Sequence, residues 1–212
     1  LANFDEASVT TLQHEGQYTD QRADRGGETY CGISRRWHPM EGVWAHVDGH
    51  KQHPEFRATP NKIIDHDRLA PMVTDFYKRE FWDKIKGDDI PSQKIANYLY
   101  DIAVNKGVKD ASMYLQTGCN VTNRNARDWP DIVLDGKIGN KTIDALTAWI
   151  ESRSEWPCLL LLGSNILSHW QDQAVRYPEQ EEFINGILAR HVSQAAIFAE
   201  NHFNNPEQKN EI

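Results

Sequence analysis

Residues 14–33 read HEGQYTDQRADRGGETYCGI, and the reading of this stretch decides the fold. It holds a glutamate followed by a glycine (Glu15, Gly16), an aspartate nine residues on (Asp24), a glycine pair (Gly26, Gly27) and a threonine (Thr29). Upstream, Phe4, Ser8, Leu12 and Glu15 recur on one side of a 3.6-residue repeat, so residues 3–15 are predicted to be a helix that Gly16 stops. Glu15 then falls in the last turn, on the inward side. Residues 17–33 are rich in Gly, Asp and Thr and contain short alternating pieces such as ETYCGIS, which predicts a turn-rich segment or small hairpin.

A carboxyl group on the inward side of a last helical turn meets two effects of the same sign. Desolvation disfavours its charged form, and so does the negative end of the helix dipole. A raised pKa keeps such a group protonated near neutral pH, able to donate a proton to a leaving oxygen as glycosidic cleavage requires. Glu15 therefore suits a general acid. The reaction also needs an ionised partner across the bond, to stabilise an oxocarbenium-like transition state or to activate water. Asp24, in a polar turn, is the first candidate and Glu28 the second. Gly26 and Gly27 allow positive backbone angles that return Thr29 and Tyr30 toward the acids, where a hydroxyl would hold water or sugar. Set beside this is the plainer reading, in which Glu-Gly is a helix end and Asp-Arg-Gly-Gly a solvated turn.

The remainder of the chain predicts more helices. Residues 38–62, with many histidines and prolines and few aliphatics, read as a long loop. A helix is predicted from Pro71, with Met72, Val73, Phe76, Tyr77 and Phe81 as its apolar stripe and Gly87 as its end. Ser92 is predicted to cap the next, whose buried face is Ile95, Leu99, Ile102 and Ala103 and which ends near Asn105 and Gly107. Others are predicted from Asp110 to Gly118, after the turn in DGKIGNKTIDAL (135–146), and over 155–172 and 178–203. The expected fold is mainly α, lysozyme-like, with a small irregular or hairpin element near the N-terminus. The expected organisation is a catalytic region over 1–107, a helical region packed on it over 108–203, and a disordered tail over 204–212.

Composition narrows the function. The chain of 212 residues has a formal charge of -8, which argues against nucleic acid, whose affinity rests on clustered Lys and Arg. Three widely spaced cysteines, Cys31, Cys119 and Cys158, suggest neither a disulfide framework nor a zinc ligand set. The start, LANFDEAS, lacks the basic region and apolar run of a secretory signal. The longest aliphatic run, LLLL at 159–162, is far below the roughly 20 apolar residues that cross a bilayer. No stable membrane insertion is expected, and a monomer is.

The order Glu15-Gly16, Tyr18, Asp24, Gly26-Gly27, Glu28-Thr29, Gly32-Ile33 resembles the N-terminal signature of glycoside hydrolase family 108, the N-acetylmuramidases of lysozyme-like fold. The resemblance continues in FYKREFWDKI (76–85), in YDIAVNKG (100–107), in YLQTGCN followed by DGKIGNKTIDAL, which is similar to the family's C-terminal peptidoglycan domain, and in EEFINGILAR (181–190). It implies hydrolysis of the β-1,4 bond between N-acetylmuramic acid and N-acetylglucosamine in peptidoglycan glycan strands, with Glu15 as the essential acid and no cofactor. The interval of nine is also similar to phage-type lysozymes, in which the aspartate is the second catalytic group and a nearby threonine positions water; Thr29 or Tyr30 would take that place. Tyr18 joins the substrate-contacting candidates through the same signature. Two departures concern loop shape: Gln17 stands where a second glycine is more frequent, and Cys31 where an aromatic is common. Such an enzyme would be made in the cytoplasm and reach the periplasm or cell wall by a holin-type or other signal-less route.

Other readings compete. His46, Asp48, His50 and His53, in WAHVDGHKQH (44–53), are residue types that ligate zinc, the basis for a zinc-dependent peptidoglycan peptidase. The helical H-E-x-x-H pattern is missing from it. Tyr100 and Asn105 suit a cleft wall, by ring stacking on a pyranose and by an amide paired with an N-acetyl group, or equally a core tyrosine and an amide bonded to its own helix. Trp82 and Trp149 fall on apolar helix faces and read as core. A noncatalytic peptidoglycan-binding or secretion-accessory protein is the remaining alternative, because DGKIGNKTIDAL resembles wall-binding modules that need no Glu15.

Overall fold

The computed structural model of the protein describes residues 1–13, 17–20, 27–178 and 185–186. Among these the fold is mainly helical, with a three-stranded antiparallel sheet near the N-terminus. The chain divides into two compact units, Phe4–Glu80 and Leu1–Asn3 with the chain from Phe81 onward.

The first unit opens with helix α1, Phe4–Gln13, followed by strands β1 (Tyr18–Thr19), β2 (Thr29–Tyr30) and β3 (Ile33–Ser34) in that order across the sheet. Tyr18 pairs with Tyr30 and Thr19 with Thr29; Tyr30 pairs with Ile33 and Thr29 with Ser34. The β2–β3 link is the two residues Cys31 and Gly32, at φ +44° and +74°. Positive φ at both central positions is the I′ hairpin turn, whose twist matches that of the strands. Gly32 adopts it freely; Cys31 does so at a cost.

Residues 38–62 are not one long loop. Helix α2, Val43–His50, buries Val43, Trp44 and Val47, and a short α3, Pro60–Ile63, follows. Three apolar residues at i, i+1 and i+4 suffice to seat two helical turns, although the segment holds few aliphatics overall. Trp44 Nε1 donates to the His38 carbonyl at 2.8 Å, which ties α2 back to the segment after β3. Helix α4 begins at His66, five residues before Pro71, because the Asp65 side chain accepts from the Arg68 N–H as an N-cap. Pro71 is the sixth residue of α4, past the turn whose N–H groups lack partners, so α4 forgoes the bond that an N–H there would donate to the Asp67 carbonyl. The helix runs to Tyr77, and a π-helical turn, Lys78–Trp82, succeeds it.

In the second unit a 3-10 turn at Gly87–Asp89 precedes α5, Gln93–Lys106, which Ser92 caps by accepting from the Ile95 N–H at 3.3 Å. Gly107, at φ +94°, separates α5 from α6, Val108–Thr122. Helices α7 (Asn140–Arg153) and α8 (Trp156–Arg176) complete the described elements. Helix α5 packs on α6 and α8, and α6 also meets α7 and α8. Their core includes Ile95, Leu99, Ile102, Leu115, Leu146, Leu162 and Ile166, with Trp82 and Trp149 fully buried. The DGK of 135–137 is clamped by buried Gln116. Its Nε2 donates to Asp135 Oδ1 (2.9 Å) and the Lys137 carbonyl (3.0 Å), and its Oε1 accepts from the Gly136 N–H (2.9 Å). The helix expected over 178–203 and the tail over 204–212 lie outside the described residues, apart from 185–186. No helix among the described residues is long and apolar enough to cross a membrane.

Candidate functional site

Glu15, Asp24 and Gly26 lie outside the described residues. Tyr18, Thr29 and Tyr30 are within them, and the sheet brings these three together in register. Gly27, at φ +66°, has the positive angle foreseen for the glycine pair, and its carbonyl accepts from Thr29 Oγ1 at 3.1 Å. Thr29 thus spends its hydroxyl proton on the turn while its oxygen can still accept.

Glu28 is the centre of a charge cluster. Its Oε1 accepts from the Tyr18 hydroxyl (3.1 Å) and pairs with Lys51, and its Oε2 accepts from Arg35 Nη1 (3.0 Å). Arg35 also forks onto Asp48, with Nη1 to Oδ1 at 2.7 Å and Nη2 to Oδ2 at 2.5 Å, and Lys51 lies 3.4 Å from Asp48. Burial alone would raise the Glu28 pKa, but the bonds from Lys51, Arg35 and Tyr18 outweigh it and hold the carboxyl below its ordinary range. The Arg35 fork brings Asp48 to about 2. Burial and the neighbouring Glu28 carboxylate push the Tyr18 phenol up. Glu28 is therefore an ionised counter-ion whose two oxygens are both engaged by Tyr18, Lys51 and Arg35, which suits it poorly to activate water or face a developing oxocarbenium ion.

Tyr30 is buried, its hydroxyl 2.9 Å from His66 Nδ1 and its ring stacked on the imidazole at 5.7 Å. His66 Nε2 lies 2.9 Å from the Asn61 carbonyl, which can only accept. In the neutral ring Nε2 therefore carries the hydrogen and Nδ1 receives the Tyr30 proton. The Asn61 side chain also binds the backbone of β1, accepting from the Tyr18 N–H at 2.8 Å and donating to the Tyr18 carbonyl at 3.4 Å. An amide here stands in for a fourth strand on the sheet edge.

Beside β1 is a cavity of about 580 Å³. Tyr18, Thr19 and Asp20 line it from β1 and the residue after it, and Lys51, Phe56 and Arg57 are among the residues lining it from the segment between α2 and α3. Buried Phe56 meets the Tyr18 ring edge-on at 5.2 Å. The cavity therefore combines an apolar wall, two cations, a carboxylate and hydroxyls. Lys51, Phe56 and Arg57 were hidden in a segment read as loop. The Glu28–Arg35 pair had a visible signal, since the two residues are equidistant from the Cys31-Gly32 turn.

Tyr100 and Asn105, in the second unit, have other surroundings. Tyr100 is fully buried with its ring edge-on to Trp82 at 5.8 Å, so its face is not available for stacking on a sugar. Asn105 is exposed, and its Nδ2 donates to the Asp101 carbonyl of its own helix at 2.7 Å. The histidine cluster does not assemble a metal site. His50 Nδ1 faces the His46 carbonyl at 2.7 Å and Nε2 accepts from the Asp65 N–H at 3.3 Å, His53 Nδ1 accepts from the Glu55 N–H, and Asp48 belongs to Arg35. Among the described residues no group of three or more His, Cys, Asp or Glu is placed to hold a metal.

Residues 9–107 match the family model described as Glycosyl hydrolase 108. Over these residues the chain is similar to glycosyl hydrolase family 108. The whole of β1 to β3, the charge cluster and the cavity fall inside the matched family segment. Among solved structures the chain is similar to that of Brucella abortus SagA, with a TM-score of 0.60 and 22% identity, covering 92% of this chain and 94% of that one. At that identity the likeness is one of fold. No curated protein matches the chain in sequence. The match to family 108 supports a peptidoglycan hydrolase of the lysozyme-like kind in general.

Proposed function

We propose that the protein cleaves the β-1,4 bond between N-acetylmuramic acid and N-acetylglucosamine by general acid/base catalysis, with Glu15 as acid and Asp24 as the ionised partner. One observation carries the reading. The nine-residue interval between these two acids contains β1, and Tyr18 and Asp20 within that interval line the 580 Å³ cavity. The proposed acids thus flank, in sequence, a strand that borders a cavity with sugar-compatible groups. Glu28 is tied to Lys51 and Arg35, which favours Asp24 over it as the second carboxylate. Thr29, whose oxygen retains acceptor capacity, is the residue best suited to hold a water.

The region from Val108 on is read as the part that holds the wall, and release through a holin-type or other signal-less route as the way the protein meets it. The test compares native protein with Glu15→Gln on purified, outer-membrane-stripped cell walls. Native protein should clear the suspension and the variant should lose at least about 100-fold of the rate, the size of a lost general acid. Equal clearing by both would overturn the assignment.

A further inference from the structure

The cavity beside β1 has a composition that a neutral glycan does not require. Lys51 directs an ammonium with three donors, of which Glu28 and Asp48 engage two. Arg57 is exposed and makes no hydrogen bond or ion pair among the described residues, which leaves a planar five-donor fork on the cavity wall. Asp20, exposed on the β1 side, supplies the opposite charge. Phe56 and Tyr18 add apolar surface to the same lining, held by their edge-to-face contact. Two cations, a carboxylate and aromatic carbon in one cavity lining match an amphoteric chain with a carboxylate at one place, an ammonium at another and methylenes linking them.

We propose that this cavity is a subsite for the peptide stem of peptidoglycan, taking a diamino-acid residue with its carboxylate on Arg57 and Lys51, its free ammonium on Asp20 and its methylenes on Phe56 and Tyr18. The inference rests on the reading of peptidoglycan as substrate and adds a preference for stems that carry both charges. It also gives an acidic protein a local means of holding an anionic polymer.

The test uses the full chain carrying Glu15→Gln, so that hydrolysis does not intervene, and the synthetic tripeptide L-alanyl-γ-D-glutamyl-meso-diaminopimelate as probe in a calorimetric or NMR titration. Binding is expected, weakened at least about tenfold by adding Arg57→Gln, as loss of a charge-assisted pair should do. The tripeptide whose diamino acid lacks the side-chain amine should bind at least about tenfold more weakly, and Asp20→Asn should abolish that difference. Both positions are exposed, so unchanged thermal midpoints will show that the variants fold. No binding at millimolar tripeptide, equal binding by Arg57→Gln, or indifference to the amine would each overturn the proposal. Tripeptide binding by a protein that clears no walls would sink the hydrolase reading and leave the subsite standing. Wall clearing with no tripeptide binding would do the reverse.

Discussion

Glu28 shows how a carboxylate in a catalytic-looking stretch is spent on structure. Its two oxygens take Tyr18, Lys51 and Arg35, and the side chain is only 14% exposed. Because its folded pKa lies below the ordinary carboxylate value, its stabilisation is fully present above about pH 4.3 and is lost as pH falls through the folded value. Glu28→Gln should therefore cost about 1–2 kcal/mol near pH 7, discounted because Arg35 and Lys51 are each 30% exposed and keep Asp48. Thermal melts from pH 7 to 2.5 should show the gap between native and variant narrowing below about pH 4; a gap that stays constant would contradict this role. Tyr30→Phe tests the next link. It should cost about 1 kcal/mol in denaturant titration, since His66 Nδ1 loses its donor in a partly buried setting, whereas an unchanged midpoint would mean that the hydroxyl contributes nothing. The Glu28–Arg35 pairing was not read from the sequence, although the two residues flank a two-residue turn symmetrically. Nor was the path from Tyr30 to His66 and Asn61, since 36 positions separate the ring from its partner and no local pattern encodes such a pairing.

At the scale of elements, legibility follows the strength of the local signal. Helix α5 has a serine cap, a regular apolar face and a glycine stop, and its limits lie where these residues predict them. Ser92→Ala should therefore destabilise by about 1 kcal/mol in urea titration, somewhat more if the bond from Ser92 Oγ to Glu155 Oε2 at 2.5 Å also contributes. No change in midpoint would show that the cap is dispensable. Helix α2 was missed because its apolar residues are clustered among histidines. The true start of α4 was missed because Pro71, a favoured first-turn residue, drew attention away from the Asp65 cap. Residues 124–126 illustrate a different limit: three successive non-glycine residues, Arg124, Asn125 and Ala126, have φ of 55°, 59° and 58°. Such a left-handed turn is disfavoured residue by residue and persists through tertiary support. Asn123 Oδ1 accepts from the Ala126 N–H at 3.0 Å, and Arg124 forks onto Asp128. Nothing in the letters RNAR announces it.

At the scale of the molecule, the mainly helical class and the small N-terminal sheet followed from the pattern of turns and apolar faces, and the likeness to family 108 from a series of ordered motifs. The compact units divide at Glu80 and Phe81, inside a π-helical turn that carries no Pro/Gly/Ser-rich linker to mark it. Tyr18, Thr29 and Tyr30, singled out in the sequence, lie together on β1 and β2, whereas the cavity was not legible, because Lys51, Phe56 and Arg57 reach it from a segment whose helices gave weak signals. With a formal charge of -8 the molecule would gain little long-range attraction to an anionic wall, so the proposed recognition rests on local groups such as these. The central claim is the bond that is cut. Mass spectrometry of reduced muropeptides released by the native protein tests it directly: products ending in reduced N-acetylmuramic acid, absent with Glu15→Gln, are the predicted result. Reduced N-acetylglucosamine ends, or newly freed peptide termini in place of glycan ends, would contradict it.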